Sequence, residues 1–279
     1  MTKAKTTIFL LPGIALTLAV FILPFAFLTV TSFWSQKEGS LLLDPSFTLK
    51  NYIRILTDRF FLSVVWRTLL IGLATVAICL AFGLPIARWI SHRARKARGL
   101  LIILILTPMI SGALVQTLGL VNLLSLLGLV NGALKSLGLI HSSIHFLGNE
   151  TGVLIGLVQA FLPLMVLPLV TTLSRLPRDM ELAAHSLGAN GFQIWRTVIL
   201  PLAMPGILAG CVLVFFAAVT SFVTPQILGQ GKTPTFGTVM YQQVAMVNDW
   251  PFASALAVVM LIILALVTFA LKRWSGAQK

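Results

Sequence analysis

Long apolar blocks separated by short polar stretches, many of them basic, run the length of the chain. A helix that crosses a bilayer needs roughly 20 mostly apolar residues. Six blocks meet that length: 7–33, 68–87, 100–124, 152–173, 204–224 and 252–271. The pattern predicts an all-α, polytopic membrane protein of about six transmembrane helices, forming a single transmembrane domain over residues 1–279. Apolar character continues past the third block through Leu126, Leu127, Leu129 and Val130, broken by Gly128 and Gly132, which predicts a short re-entrant or interfacial helix within 125–140. Residues 51–66 mix Tyr52, Ile53, Ile55 and Leu56 with Arg54 and Arg59. That amphipathic mixture predicts a segment on the membrane surface ahead of the second span. The first block follows Lys3 and Lys5, as a signal peptide does, but it is too long for a signal core and lacks a small-residue cleavage site. It is read as an uncleaved first span.

Composition agrees with the pattern. The 279 residues are 58% hydrophobic and 10% charged, with a mean hydropathy of +0.99, where soluble domains carry about 25% charged residues. The formal net charge of +13 sits between the apolar blocks rather than along one face, which argues against nucleic-acid binding. With the N-terminus inside, inside segments hold Lys3, Lys5, Arg88, Arg93, Arg95, Lys96, Arg98, Arg175, Arg178, Arg196, Lys272, Arg273 and Lys279. Outside segments hold Lys37, Lys50, Arg54, Arg59, Arg67, Lys135 and Lys232, with most of the acids. The basic bias places both termini in the cytoplasm, with the cluster Arg88–Arg98 held by anionic headgroups. Cys79 and Cys211 both lie in apolar runs and read as packing residues.

The six blocks are nearly free of ionisable side chains. Ion-coupled carriers usually place such groups inside the membrane. Their shortage points to an energy source outside the spans, although sodium coupling through neutral oxygens keeps an ion-gradient-driven carrier or channel as the alternative. An enzyme acting on lipid would need convergent His, Asp or Glu near one membrane face, and the sequence offers no such set. The polar residues within the blocks are Gln116, Gln159, Thr220, Ser221 and Thr224. They either line a solute path or serve as hydrogen-bond glue between helices. Gly152 with Gly156, and Gly206 with Gly210, are small-xxx-small pairs that allow close helix approach.

The inside segment between the fourth and fifth blocks is the most informative. Pro177 suits a first helical turn, and Asp179 and Glu181 fall where carboxylates favour the helix dipole. Leu182, Ala183, Ala184 and Leu187 propagate a helix. Gly188, followed by Asn190 and Gly191, is placed to end it in a left-handed turn. A second short helix is predicted over 192–200, stopping at Pro201. Together these give a helix–turn–helix hairpin facing the cytoplasm over 174–203.

This segment resembles the EAA loop of permeases from binding-protein-dependent ATP-binding-cassette importers. That pattern is Glu-Ala-Ala, three residues, Gly, nine residues, Ile, one residue, Leu-Pro. Here Ala183 and Ala184 are followed by three residues and Gly188, then nine residues and Val198, and then Ile199, Leu200 and Pro201. Two positions depart: Leu182 stands at the glutamate position with Glu181 one residue earlier, and Val198 replaces Ile. Phe47–Tyr52, Thr233–Thr238 and Asp249–Phe252 look like the subgroup that imports polyamines, opines or aminoethylphosphonate. The long first outside loop looks like the first of two dissimilar permeases in such systems. The resemblance implies a permease of the inner (cytoplasmic) membrane that moves a small solute inward. It implies coupling through Glu181, Leu182, Ala183, Ala184, Leu187, Gly188 and Pro201 to two copies of a separate ATPase. A second permease subunit and an extracytoplasmic solute-binding protein complete the implied assembly. No cofactor or metal is expected on this chain, and ATP with magnesium belongs to the ATPase.

Three other features carry less. Gly231-Lys232-Thr233 has Gln226, not Gly, where a phosphate-binding loop needs its first glycine. His141 and His145 lack a third ligand. His185 lies in the predicted coupling helix and reads as a packing or interfacial residue.

Overall fold

The computed structural model describes residues 3–36, 43–92, 97–176 and 178–276. Lys37, Glu38, Arg93, Arg95, Lys96, Pro177 and Lys279 lie outside the described residues. In chain order the elements are α1 (Lys3–Thr31), β1 (Ser35–Gln36), β2 (Leu43–Asp44), α2 (Lys50–Thr57), α3 (Arg59–His92), α4 (Arg98–Ile110), α5 (Ala113–Leu124) and α6 (Leu129–Ser136). They continue with α7 (Glu150–Leu173), α8 (Arg178–Ser186), α9 (Gly191–Ile194), a π-helical turn (Trp195–Ile199), α10 (Leu200–Thr220), α11 (Val223–Leu228) and α12 (Phe236–Gln242). A second π-helical turn (Gln243–Val247) leads into α13 (Trp250–Gly276). Five stretches among the described residues are long and apolar enough to cross a membrane: Arg59–His92, Ala113–Ser136, Glu150–Leu173, Gly191–Thr220 and Trp250–Phe269. Leu16–Thr31, within α1, and Arg98–Ile110 are shorter apolar segments.

The described residues form two compact units, residues 3–63 with 239–276 and residues 64–238. In the first, α1 and α2 pack on α13, with Ile55 of α2 fully buried. Thr31 Oγ1 donates to Ser254 Oγ at 3.1 Å. The two-residue strands pair antiparallel, Ser35 opposite Asp44. Two of the segments singled out in the sequence close this end together. Phe47 stacks on Phe33 at 4.9 Å, and Tyr52 shares a 2.6 Å hydrogen bond with Ser32. Asp249 accepts from the Phe252 N–H at 3.0 Å, capping α13. The Arg54 guanidinium lies 4.4 Å from the Phe252 ring centroid and 3.9 Å from Asp249.

In the second unit α7 and α10 form the central pair, and α4, α5 and α11 also pack on α7. Met165, Leu169 and Leu173 of α7 meet Ala203, Ile207 and Val214 of α10, all buried. Glycines permit the close approach. A Cβ on Gly206 would lie 2.6 Å from Thr172 Oγ1 and 2.9 Å from the Pro168 carbonyl, and one on Gly210 would lie 2.6 Å from Met165 Sδ. Thr233–Thr238 is a buried turn in which Thr235 N–H donates to Thr238 Oγ1 at 2.8 Å. Phe236 N–H donates to Thr68 Oγ1 at 2.9 Å.

Four boundaries differ from the sequence expectation. The segment 51–66 is not one surface helix. Asp58 separates α2 from α3 by accepting the Phe60 N–H at 2.8 Å, so residues 59–66 continue into the second span. The third block, 100–124, is broken at Ser111–Gly112, where Gly112 takes φ +79°. Its first piece, α4, has 13 residues and reaches only about 20 Å at 1.5 Å per residue. The second loop helix does not stop at Pro201. Proline withholds an N–H and crowds the carbonyl four residues back. Here the π-helical turn lets the helix run on, with Leu200 N–H reaching Trp195 O and Pro201 seated in the first turn of α10. The fifth block ends at Thr220, so Ser221 is the α10 C-cap and Thr224 belongs to α11. The short re-entrant or interfacial helix expected within 125–140 has its counterpart in the 8-residue α6.

Candidate coupling loop and the polar span residues

Helix α8 has only 9 residues, shorter than a helix that is stable alone in water. Its ends and one face therefore have to be held. At its C-terminus Gly188 takes φ +81°. Gly188 N–H donates to His185 O at 2.9 Å, and Ala189 N–H donates to Ala184 O at 3.1 Å. This bond pair is the Schellman arrangement, in which a left-handed glycine satisfies the last carbonyls. Asn190 then starts α9 with a capping box: its side chain accepts the Gln193 N–H, and its own N–H donates to Gln193 Oε1, both at 2.9 Å. The spacing Asn-x-x-Gln in the sequence carries this signal, which the loop reading above did not use.

One side of the hairpin is fixed to the helix core. Ile194 and Ile199 are buried in it, and Ala184, Ala189, Trp195 and Val198 pack against it. The Arg88 guanidinium of α3 lies 5.9 Å from the Trp195 ring centroid, within cation–π range. The other side is bare: Leu187 is 88% exposed, Phe192 76%, Leu182 61% and Met180 46%. Ala183 is exposed as well. Backbone geometry places Glu181 in α8, while the side chains of Arg178, Asp179 and Glu181 lie outside the described residues. Pro201 stands at the other end of the loop, inside α10.

The polar span residues are not gathered into one site. Thr224 is buried and faces Thr117 Oγ1 of α5 at 3.4 Å, which is the hydrogen-bond-glue arrangement. Gln116 of α5 is half-buried, with Nε2 lacking a hydrogen-bond partner among the described residues. Gln159 of α7 and Thr220 of α10 are exposed, and Ser221 is half-buried. Thr220 Oγ1 donates to Phe216 O at 2.7 Å, one turn back.

Apolar helices long enough to cross a membrane, with a capped hairpin that leaves its leucines exposed, define a multi-pass helical membrane protein. Residues 79–277 match the model of the family described as "Binding-protein-dependent transport system inner membrane component". The chain belongs to that family and is an inner-membrane permease subunit of an ATP-driven importer. It is 36% identical over 238 residues to the spermidine/putrescine transport system permease protein PotB of Haemophilus influenzae, covering 85% of this chain and 82% of that protein. To PotB of Escherichia coli K12 it is 35% identical over 251 residues, covering 90% of each. Its fold is similar to that of a bacterial ABC transporter that imports the acidic polysaccharide alginate, with a TM-score of 0.76 at 16% identity, covering 96% of this chain and 94% of that one.

Proposed function

We propose that this permease carries a polyamine, or a similarly small linear amine, into the cytoplasm, and that its 174–203 hairpin docks on the ATPase that drives the cycle. The observation that carries the docking is the bare apolar side of a hairpin whose opposite side is anchored in the core. Exposed Leu182, Leu187 and Phe192 suit a groove on a partner protein, because contiguous apolar surface left in water marks a binding site. Glu181, Ala183, Ala184, Gly188 and Pro201 shape that hairpin. Nucleotide-driven motion of the ATPase would then shift the membrane helices between inward-open and outward-open states. The polyamine assignment rests on the two spermidine/putrescine permeases that are 35–36% identical to this chain.

In the full assembly this chain pairs with a second permease, two ATPase copies sit below, and the solute-binding protein docks outside. Both termini and the hairpin face the cytoplasm, following the Lys and Arg bias. The test is purification of the tagged chain, coexpressed with its ATPase and second permease, from mild detergent. The ATPase is expected to co-elute, and Leu187→Asp with Leu182→Asp is expected to lose it while keeping the second permease. Retention of the ATPase by that double variant would overturn the docking. Separately, vesicles holding the whole complex and binding protein should take up spermidine only with ATP inside.

A further inference from the structure

A groove of about 370 Å³ runs along the α7–α10 pair, inside the range of small-molecule sites, roughly 300–1,000 Å³. It extends from Thr172 and Pro205, near the hairpin end, to Leu164 and Leu213, about 12 Å deeper at 1.5 Å per residue. Among the described residues, no acidic or basic side chain lines it. Leu164, Leu167 and Leu213 make apolar walls. The polar groups it offers are oxygens. Pro168 has no N–H to give the Leu164 carbonyl four residues back. The Thr172 hydroxyl makes no hydrogen bond among the described residues and lies against Gly206. Thr171 Oγ1 donates to Leu167 O at 2.9 Å and keeps its own lone pairs. Acceptors left open at membrane depth are costly unless a donor reaches them.

We propose that this groove is part of the solute path, holding the ammonium groups of a linear amine on the Thr172 hydroxyl and Leu164 carbonyl, with its methylenes against Leu167 and Leu213. The inference rests on the polyamine reading above and deepens it. A cation needs neither a carboxylate nor an aromatic cage here, because oxygen dipoles suffice to pass it without holding it. On α10 the line continues outward: Pro205, Ala209, Leu213 and Thr220 lie within about 80° of one another at 3.6 residues per turn. Gln159 sits about 140° from Leu164 on α7 and falls off that line.

The test uses the whole complex in nanodiscs, with Cys79→Ala and Cys211→Ala as background and a spin label on Ala209→Cys. Collisions with a water-soluble nickel chelate are expected, suppressed by spermidine but not by a neutral diol of equal length. Collisions with dissolved oxygen alone would show a lipid-facing groove, and a label immobilised regardless of spermidine would show a partner helix filling it. Either result overturns the proposal. In uptake assays Thr172→Val should lower spermidine transport while Thr172→Ser retains it. Equal uptake by the valine variant would also overturn it. Wild-type uptake of spermidine in the same vesicles separates the two readings. If uptake is present and the label faces lipid, only the groove fails. If uptake is absent, the polyamine reading fails and takes this solute assignment with it.

Discussion

The α7–α10 pair and the α8–α9 hairpin are neighbours in sequence and draw on the same residues, leucine, alanine and glycine, to opposite ends. In the pair, Leu169 and Leu173 are buried, and Gly206 and Gly210 let two backbones approach where a Cβ would collide. In the hairpin, Leu182 and Leu187 face outward. Gly188 has open space where a Cβ would go and serves instead through its φ of +81°. One region uses glycine for proximity and the other for backbone hand. Where α7 and α10 meet, the apolar surface has found its partner within the chain. The hairpin is anchored on one side and bare on the other, which is the face the proposed docking would cover.

That contrast predicts different failures. The largest is expected from Gly206→Leu. The new side chain meets the Pro168 carbonyl and the Thr172 side chain, and overpacking of this kind costs about 1–3 kcal/mol or more. The yield of folded protein in detergent should collapse, and normal yield would mean that the pair is looser than its packing implies. Gly188→Val should act differently. No atom lies within 4 Å of the new Cβ, so the cost is the left-handed backbone alone, about 1–2 kcal/mol. The variant should insert and purify normally yet lose ATP-driven uptake, while Gly188→Asn, which tolerates that backbone better, keeps part of it. Full uptake by the valine variant would break the argument that the hairpin angle matters.

Much of this was readable in the sequence, for physical reasons that also mark where reading stops. The block 152–173 and helix α7 nearly coincide, because a long apolar run leaves the backbone no alternative to a helix in lipid. Gly188 was legible because a polar, glycine-rich loop after a helix admits few other roles. Gly112 was not: glycine is common inside transmembrane helices, and nothing in its neighbours separates a break from a packing site. Asp58 hid in an amphipathic stretch where one more polar residue changes nothing until it caps a helix. Pro201 carries a stop signal in sequence, and the π-helical turn before it removes the clash on which that signal depends. Periodicity could not tell the inward from the outward leucines of the hairpin, since a helix of 9 residues is too short to fix a face.

The finest test separates the glue role of a buried polar pair from a role in transport. Thr117 and Thr224 meet at 3.4 Å between α5 and α11, both buried. Thr117 Oγ1 also donates to Ala113 O at 2.6 Å, so its proton is engaged within its own helix and only lone pairs face Thr224. Thr224 is then the donor, and at 3.4 Å the pair bond is weak, near the average of about 0.6 kcal/mol for hydrogen bonds between membrane helices. Thr224→Val keeps the shape and removes the hydroxyl. It should lower the detergent unfolding midpoint slightly and leave spermidine uptake at the wild-type rate. A large loss of uptake with an unchanged midpoint would put Thr224 on the path despite its burial. The interior on that side would then open during the cycle, and the closed packing of α7 against α10 would not extend to α11.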